Sequence, residues 1–297
     1  MNRKKIVITG ASGFLGSHLV ERIKNNKEYR VFAVSSRPDE IREKIGGKHV
    51  EYLYKDAVMG NHAPEVLEDA IVISCAYPRN SSGTTVADGL NYIQRVFESA
   101  VENKAAAIIN ISSQSVYSQQ RLDVATEETP VCLETPYAVG KYAVELMLES
   151  ICKGTETKYT SLRMASLIGP GFNQRIVNRL ALKIMNHEPI SLVRQPKKMG
   201  FLDVEDAVSA IMSVADLSLE SWKTVYNIGN GLGYTVEEIY NVVAAMMKNK
   251  IEFSEPSIVD GSDISSTAVS FERLHEDTGF TPEIDLNESV KRIIALL

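Results

Sequence analysis

The chain has 297 residues, 44% of them hydrophobic and 24% charged, with a formal net charge of −6. That length supports one large domain or two small ones around a substantial core, and the acidic balance argues against nucleic-acid binding, which calls for a basic face. No apolar run reaches the ~18 residues of a membrane span, and the three cysteines lack C-x-x-C spacing, so neither a disulfide framework nor a zinc site is expected.

The basic start MNRKK runs into only Ile6-Val7-Ile8, too short for a signal-peptide apolar region, so a cytoplasmic protein with no nucleic-acid or membrane partner is expected. The histidines are scattered and no metal centre is expected.

Lys5–Thr9 reads as a strand, followed by a helix carrying Leu15, Leu19 and Ile23 on one face. Arg30–Ser35 and Val50–Tyr54 read as further strands, and Ala70–Ala76 as a continuous apolar strand buried on both faces. A helix from about Gly89 to Asn103 leads to a strand at Ala106–Ser112, another helix starts near Tyr137, and Tyr159–Arg163 is again a strand. Past Ser166 the alternation weakens. A glycine turn (IGPGF) precedes a helix around Arg175–Asn186 and a basic loop, RQPKKMG; Val204–Leu217 and Val236–Lys248 read as helices, Val225–Ile228 as a strand, and the chain finishes on an amphipathic helix.

Strand–helix alternation with apolar strands predicts an α/β fold, a doubly wound parallel sheet, with a smaller C-terminal lobe. The expected division is a dinucleotide-binding domain over 1–165, to which 200–230 returns, and a substrate lobe from 166–199 and 231–297.

The first motif is Gly10-x-x-Gly13-x-x-Gly16, set between strand and helix. Gly10 allows a turn at positive φ, Gly13 lets the backbone approach a pyrophosphate, and Gly16 lets the helix pack close to the sheet, with the helix N–H groups facing the anion. After the second strand stand Ser35, Ser36 and Arg37, where a site for NAD usually has an acid. A guanidinium with two hydroxyls suits a 2′-phosphate, so NADP is favoured over NAD. Asp56 is placed to accept from the adenine amino group.

Tyr137 and Lys141, four apart on one helix, share a face. An ammonium there lowers the phenol's pKa from about 10, suiting the tyrosine to exchange a proton with a substrate hydroxyl or carbonyl. Pro136 marks the helix start. Ser112–Ser115 close the preceding strand, where a hydroxyl can hold a substrate oxygen.

These motifs together resemble the extended short-chain dehydrogenase/reductases, specifically the NAD-dependent epimerase/dehydratase group. The resemblance rests on TGASGFLG, SSQSVY followed by EETP, PYAVGK, LRMASLIGPG, FLDVEDAV and VYNIGNG, and so covers nearly the whole chain. It implies a Rossmann fold with Tyr137 as general acid/base, Lys141 as its electrostatic partner and ribose contact, and Ser113 as the hydroxyl orienting substrate. It implies a cofactor lined by Gly10, Ser12, Gly13, Phe14, Leu15, Gly16, Ser36, Arg37, Asp56, Ala57 and Ala76. Tyr77, Gln114 and Ser166 are expected against the substrate.

Gln114 and Ser115 stand where dehydratases of this group carry Asp-Glu, which disfavours dehydration. Ser166 and Met199 stand where nucleotide-sugar enzymes commonly have Asn and Arg, with Arg194, Lys197 and Lys198 nearby as substitutes. The expected activity is NAD(P)-dependent hydride transfer at a secondary alcohol or carbonyl carbon, of the epimerase or keto-reductase type, on a nucleotide-activated sugar. The alternatives are an NADPH-dependent reductase of another carbonyl and a non-catalytic dinucleotide sensor. A homodimer is implied by the resemblance.

Overall fold

The structure is a computed structural model that describes residues 3–60, 63–78, 83–173, 175–248 and 251–297. From the amino end the elements are β1 (Lys4–Thr9), α1 (Phe14–Ile23), β2 (Tyr29–Ser35), α2 (Pro38–Ile45), β3 (Val50–Tyr54), α3 (Ala63–Leu67), β4 (Ala70–Ser74), α4 (Gly83–Glu102) and β5 (Ala107–Ser113). They continue with α5 (Pro136–Cys152), β6 (Lys158–Met164), β7 (Ser166–Ile168), α6 (Ile176–Met185), β8 (Ser191–Arg194), β9 (Lys197–Asp203), α7 (Val204–Asp216) and β10 (Val225–Ile228). The last are β11 (Gly233–Tyr234), α8 (Val236–Met247), β12 (Ser257–Asp260), β13 (Ser265–Ser266), α9 (Glu272–Thr278) and α10 (Leu286–Ala295). Among the described residues, no helix is long and apolar enough to cross a membrane.

The chain divides into two compact units. The first comprises Met1–Ser112, Thr135–Arg163 and Ile211–Tyr226. Its seven-stranded sheet runs β10-β6-β5-β4-β1-β2-β3. β1 lies between β2 and β4, and the pairings from β3 through to β5 are parallel. The order reverses beside β1, as in dinucleotide-binding folds, and this opens a crevice at the carboxyl ends of the strands. Parallel strands need both faces covered, and β4 is buried at every position. One face is covered by α4 and α5, whose Ile93, Val96, Phe97, Val144 and Leu148 pack with Val7, Phe32 and Val72.

The second unit comprises Ser113–Glu134, Met164–Ala210 and Asn227–Leu297. Its core joins Val177, Ala181 and Ile184 of α6 to Ile239 and Val243 of α8 and Val290 and Ile293 of α10. Asp203, fully buried, accepts from the Ser289 hydroxyl at 2.6 Å and pairs with Arg292 at 2.9 Å, while the Asp206 carboxylate accepts from the backbone N–H groups of Glu283 and Ile284.

Two expectations are corrected. The segment RQPKKMG is not a loop: Arg194 ends β8, Lys197–Gly200 lie in β9, and only Gln195 and Pro196 intervene. Backbone pairing of β9 to β7, β11 and β13 holds the strand, with the lysine side chains carried at its more exposed positions. The helix expected from about Gly89 begins at Gly83.

Candidate active site

β1 ends in a turn that glycine alone allows. Gly10 has φ +69°, and a Cβ there would stand 2.6 Å from the Ala76 nitrogen, where the chain leaves β4. A Cβ on Gly16 would collide with the Gly10 carbonyl oxygen, so α1 presses its first turn onto the strand's end. Gly13 caps α1 without any side-chain hydrogen bond, leaving first-turn N–H groups to an anion. Phe14 is half-buried and Leu15 buried. A cradle closed to side chains beside an uncapped helix start fits the pyrophosphate of a dinucleotide.

At the end of β2 the hydroxyl of buried Ser35 donates to the Ser12 hydroxyl at 3.0 Å and accepts from the Arg37 N–H at 3.0 Å. Ser36 is exposed. The exposed Arg37 guanidinium pairs with Glu40 at 3.0 Å, and Pro38 opens α2 directly after it. Asp56 and Ala57 lie in the single 3-10 turn after β3, Asp56 exposed and Ala57 half-buried.

The tyrosine–lysine motif sits where its sequence put it. Thr135 caps α5, its hydroxyl accepting from the Ala138 N–H at 3.1 Å, and Pro136 fills the first helical position, where no N–H is needed. Tyr137 is 40% exposed, whereas Lys141, one turn on, is only 6% exposed. The Lys141 ammonium donates to the Ile111 carbonyl of β5 at 2.7 Å, lies 4.0 Å from the centre of the Tyr77 ring and 5.9 Å from that of Tyr137. The two tyrosine rings meet edge-to-face with centroids 5.4 Å apart. Burial and the neighbouring Tyr137 hold the Tyr77 phenol above its ordinary pKa.

One turn further along the same face stands Glu145, 9% exposed. Arg163 of β6 donates to it from Nε at 3.1 Å to each oxygen and from a terminal nitrogen at 2.7 Å. The Ser112 hydroxyl donates to it as well. Tyr137, Lys141 and Glu145 thus form one stripe, the latter two fixed to successive residues of β5. Glu145, Arg163 and Gly140 were not singled out in the sequence, although a four-residue step beyond Lys141 points to Glu145.

Ser113 is the last residue of β5, and its hydroxyl accepts from the Ser115 N–H at 3.2 Å. In the second unit Gln114 is buried with its amide 3.4 Å from that of Gln119, and Ser166 opens β7 opposite Phe201 of β9. Arg194, a suggested substitute for a missing arginine, is engaged with Glu237 at 3.2 Å and Asp260 at 3.8 Å. The first unit therefore brings together Gly10 with Ala76, Ser12 with Ser35, and Tyr77 with Tyr137 and Lys141.

A model of the family described as "NAD dependent epimerase/dehydratase family" matches residues 6–229. The chain belongs to that family. Family membership makes it an enzyme of the extended short-chain dehydrogenase/reductase type that works with a nicotinamide dinucleotide. This epimerase/dehydratase-family chain is 26% identical to the GDP-6-deoxy-D-mannose reductase of Pseudomonas aeruginosa, a match covering 98% of this chain and 96% of that one. Among solved structures it resembles MoeE5 in complex with UDP-glucuronic acid and NAD, at 25% identity, TM-score 0.82 and 98% coverage of both chains. It also resembles the UDP-glucose 4-epimerase of Thermotoga maritima with UDP-glucose, at 21% identity, TM-score 0.81 and 98% coverage of both, a likeness of fold.

Proposed function

We propose that this enzyme carries out reversible hydride transfer at a secondary carbinol carbon of a nucleotide-activated sugar, with an epimerase outcome. The observation that carries the proton-transfer half is the placement of a buried ammonium one turn from a half-exposed phenol on α5, at the carboxyl edge of a dinucleotide sheet. The substrate class is supported by the relatives, whose structures hold UDP-glucuronic acid and UDP-glucose. The first unit is assigned the cofactor and the second the sugar nucleotide.

In this reading Gly10, Gly13 and Gly16 would hold the pyrophosphate with Phe14 and Leu15, beside Ala76. NAD, when bound, would supply the hydride acceptor and donor, and inversion requires the ketone to present its opposite face before it is reduced. Tyr137 removes the hydroxyl proton as the carbon is oxidised and gives it back on reduction, its phenolate favoured by the Lys141 charge. Ser113 orients the reacting oxygen. Gln114 and Ser115 supply no acid or base, so water elimination is not part of the cycle.

We propose NAD as the cofactor in place of the NADP expected from Ser36 and Arg37. Arg37 is engaged with Glu40 and the Ser35 hydroxyl is turned inward to Ser12, while the family is NAD dependent and the solved relative was captured with NAD. The absence of an acid after β2 favours a second reading, an NADPH-dependent keto-sugar reductase. We also propose a homodimer, supported by Val139 and Leu146, each 50% exposed and seven residues apart on α5.

Incubation with UDP-glucose or UDP-glucuronic acid, followed by NMR of the sugar, is expected to show inversion without net NADH formation. Tyr137→Phe is expected to lower turnover by at least about 10²-fold while NAD still binds. Full activity in that variant refutes the assignment, and turnover only with added NADPH moves it to the reductase.

A further inference from the structure

Tyr77 lies far from α5 in sequence, yet its ring occupies the ground beneath the helix's first turns. The Lys141 ammonium stands 4.0 Å from the ring centre, closer than its 5.9 Å to the ring of Tyr137. At 4.0 Å a buried ammonium is well inside the ~6 Å range of cation–π attraction, which gains strength when water is excluded. The opposite constraint comes from the helix. A Cβ on Gly140 would collide with the Tyr77 hydroxyl oxygen and come within 3.4 Å of the ring carbon bearing it. Gly140 is a mid-helix glycine with no left-handed φ, and an interior glycine weakens a helix relative to alanine. Its lack of a side chain is explained by the space the Tyr77 hydroxyl fills.

We infer that Tyr77 is a positioning residue, a seat that fixes the Lys141 ammonium against the Ile111 carbonyl and beside Tyr137, with Gly140 as the clearance that lets the seat form. This rests on Tyr137 and Lys141 being the proton-transfer pair. Among the described residues of the first unit, the titratable and charged groups near Lys141 include Cys75 and Tyr77 from the segment after β4 and Tyr137 on α5, with the Glu145–Arg163 pair one turn on. Burial pushes the Cys75 thiol up to about 12, with the Lys141 charge opposing that rise. Glu145 pairs with Arg163 at 2.7 Å, and the Lys141 ammonium lies beside both tyrosine rings. Seated, it stabilises the Tyr137 phenolate. Released from the ring, it relaxes away and the phenol holds its proton to higher pH.

The test follows Tyr137 directly in protein labelled with ¹³Cζ-tyrosine, with and without NAD, its resonance assigned by its absence in Tyr137→Phe. Tyr77→Leu is expected to raise the titration midpoint of Tyr137 by about half to one pH unit, a roughly three- to tenfold fall in phenolate at fixed pH. Tyr77→Phe keeps the ring and is expected to leave the midpoint unchanged. Gly140→Ala is expected to reproduce the upward shift by driving the Tyr77 ring off its seat. The double variant Gly140→Ala/Tyr77→Phe removes the colliding hydroxyl, leaving an ordinary contact with the ring, and is expected to restore the original midpoint. An unmoved midpoint in Tyr77→Leu overturns the inference, as does a double variant no better than Gly140→Ala alone. Because the readout needs no substrate, it is separate from the turnover of Tyr137→Phe, which tests the functional reading itself.

Discussion

Replacing Glu145 by leucine tests how the stripe on α5 is held. The substitution leaves the Arg163 guanidinium, 7% exposed, without the carboxylate that receives three of its hydrogen bonds, and takes the acceptor from the Ser112 hydroxyl. Removing one partner of a buried ion pair costs about 3–5 kcal/mol, most of it the penalty of a stranded charge. Unfolding entropy near 2.1 cal/mol/K per residue gives about 0.6 kcal/mol/K for a chain of 297 residues. The melting temperature of Glu145→Leu should then fall by ~5–8 °C in calorimetry. The double variant Glu145→Leu/Arg163→Met removes both charges and should recover most of that loss, since apolar replacement of a buried pair is often neutral. A single variant that melts within about 2 °C of the parent, or a double variant no more stable than the single, refutes the reasoning.

Gly10→Ala forces a Cβ to 2.6 Å from the Ala76 nitrogen at φ +69°, and NAD affinity by calorimetry should fall by at least about tenfold; a parental Kd would mean the turn is not the pyrophosphate cradle. Arg37→Ala removes only an exposed pair with Glu40, so the Kd for NAD should change by less than about twofold, and a selective loss of NADP binding would restore the phosphorylated cofactor. Burial holds the Asp206 carboxyl above its ordinary 3.8, so the folded state keeps this proton longer than the unfolded one and the group's contribution to stability declines as pH rises through that window. The change in urea unfolding midpoint from pH 4 to pH 6 should therefore be more positive for Asp206→Asn than for the parent; identical changes would count against a raised carboxyl.

The first unit was legible because its signals are local. Gly10 to Gly16 lie between an apolar strand and an apolar-faced helix, and Thr135-Pro136 announces the helix bearing Tyr137 and Lys141. β9 was hidden because composition misleads there: lysines at its outer positions and Pro196 before it read as a solvated loop, while the strand is made by neighbours distant in sequence. The seat of Lys141 was hidden for the same reason. No periodicity links Tyr77 to Gly140, and the significance of each depends on their meeting. Arg37 shows the converse case, a chemically apt residue whose exposed guanidinium pairs with Glu40 one helical turn away.

The first unit is not continuous in the chain, and this bears on how the protein is made. Tyr29 donates its hydroxyl to both oxygens of Asp216 at 2.8 Å, Lys4 pairs with the same carboxylate at 3.3 Å, and β10 forms an edge of the sheet. A nascent polypeptide that has reached Arg163 holds six of the seven strands yet lacks the segment that borders them. Ribosomes adding about 5–20 residues per second need roughly 2–10 s more to reach Ile211. During that interval the apolar edge of β6 is open, and much of the second unit is synthesised before the first can close. A fragment ending at Arg163 therefore corresponds to the nascent chain with the β6 edge unpaired, and is expected to aggregate more readily than the whole chain.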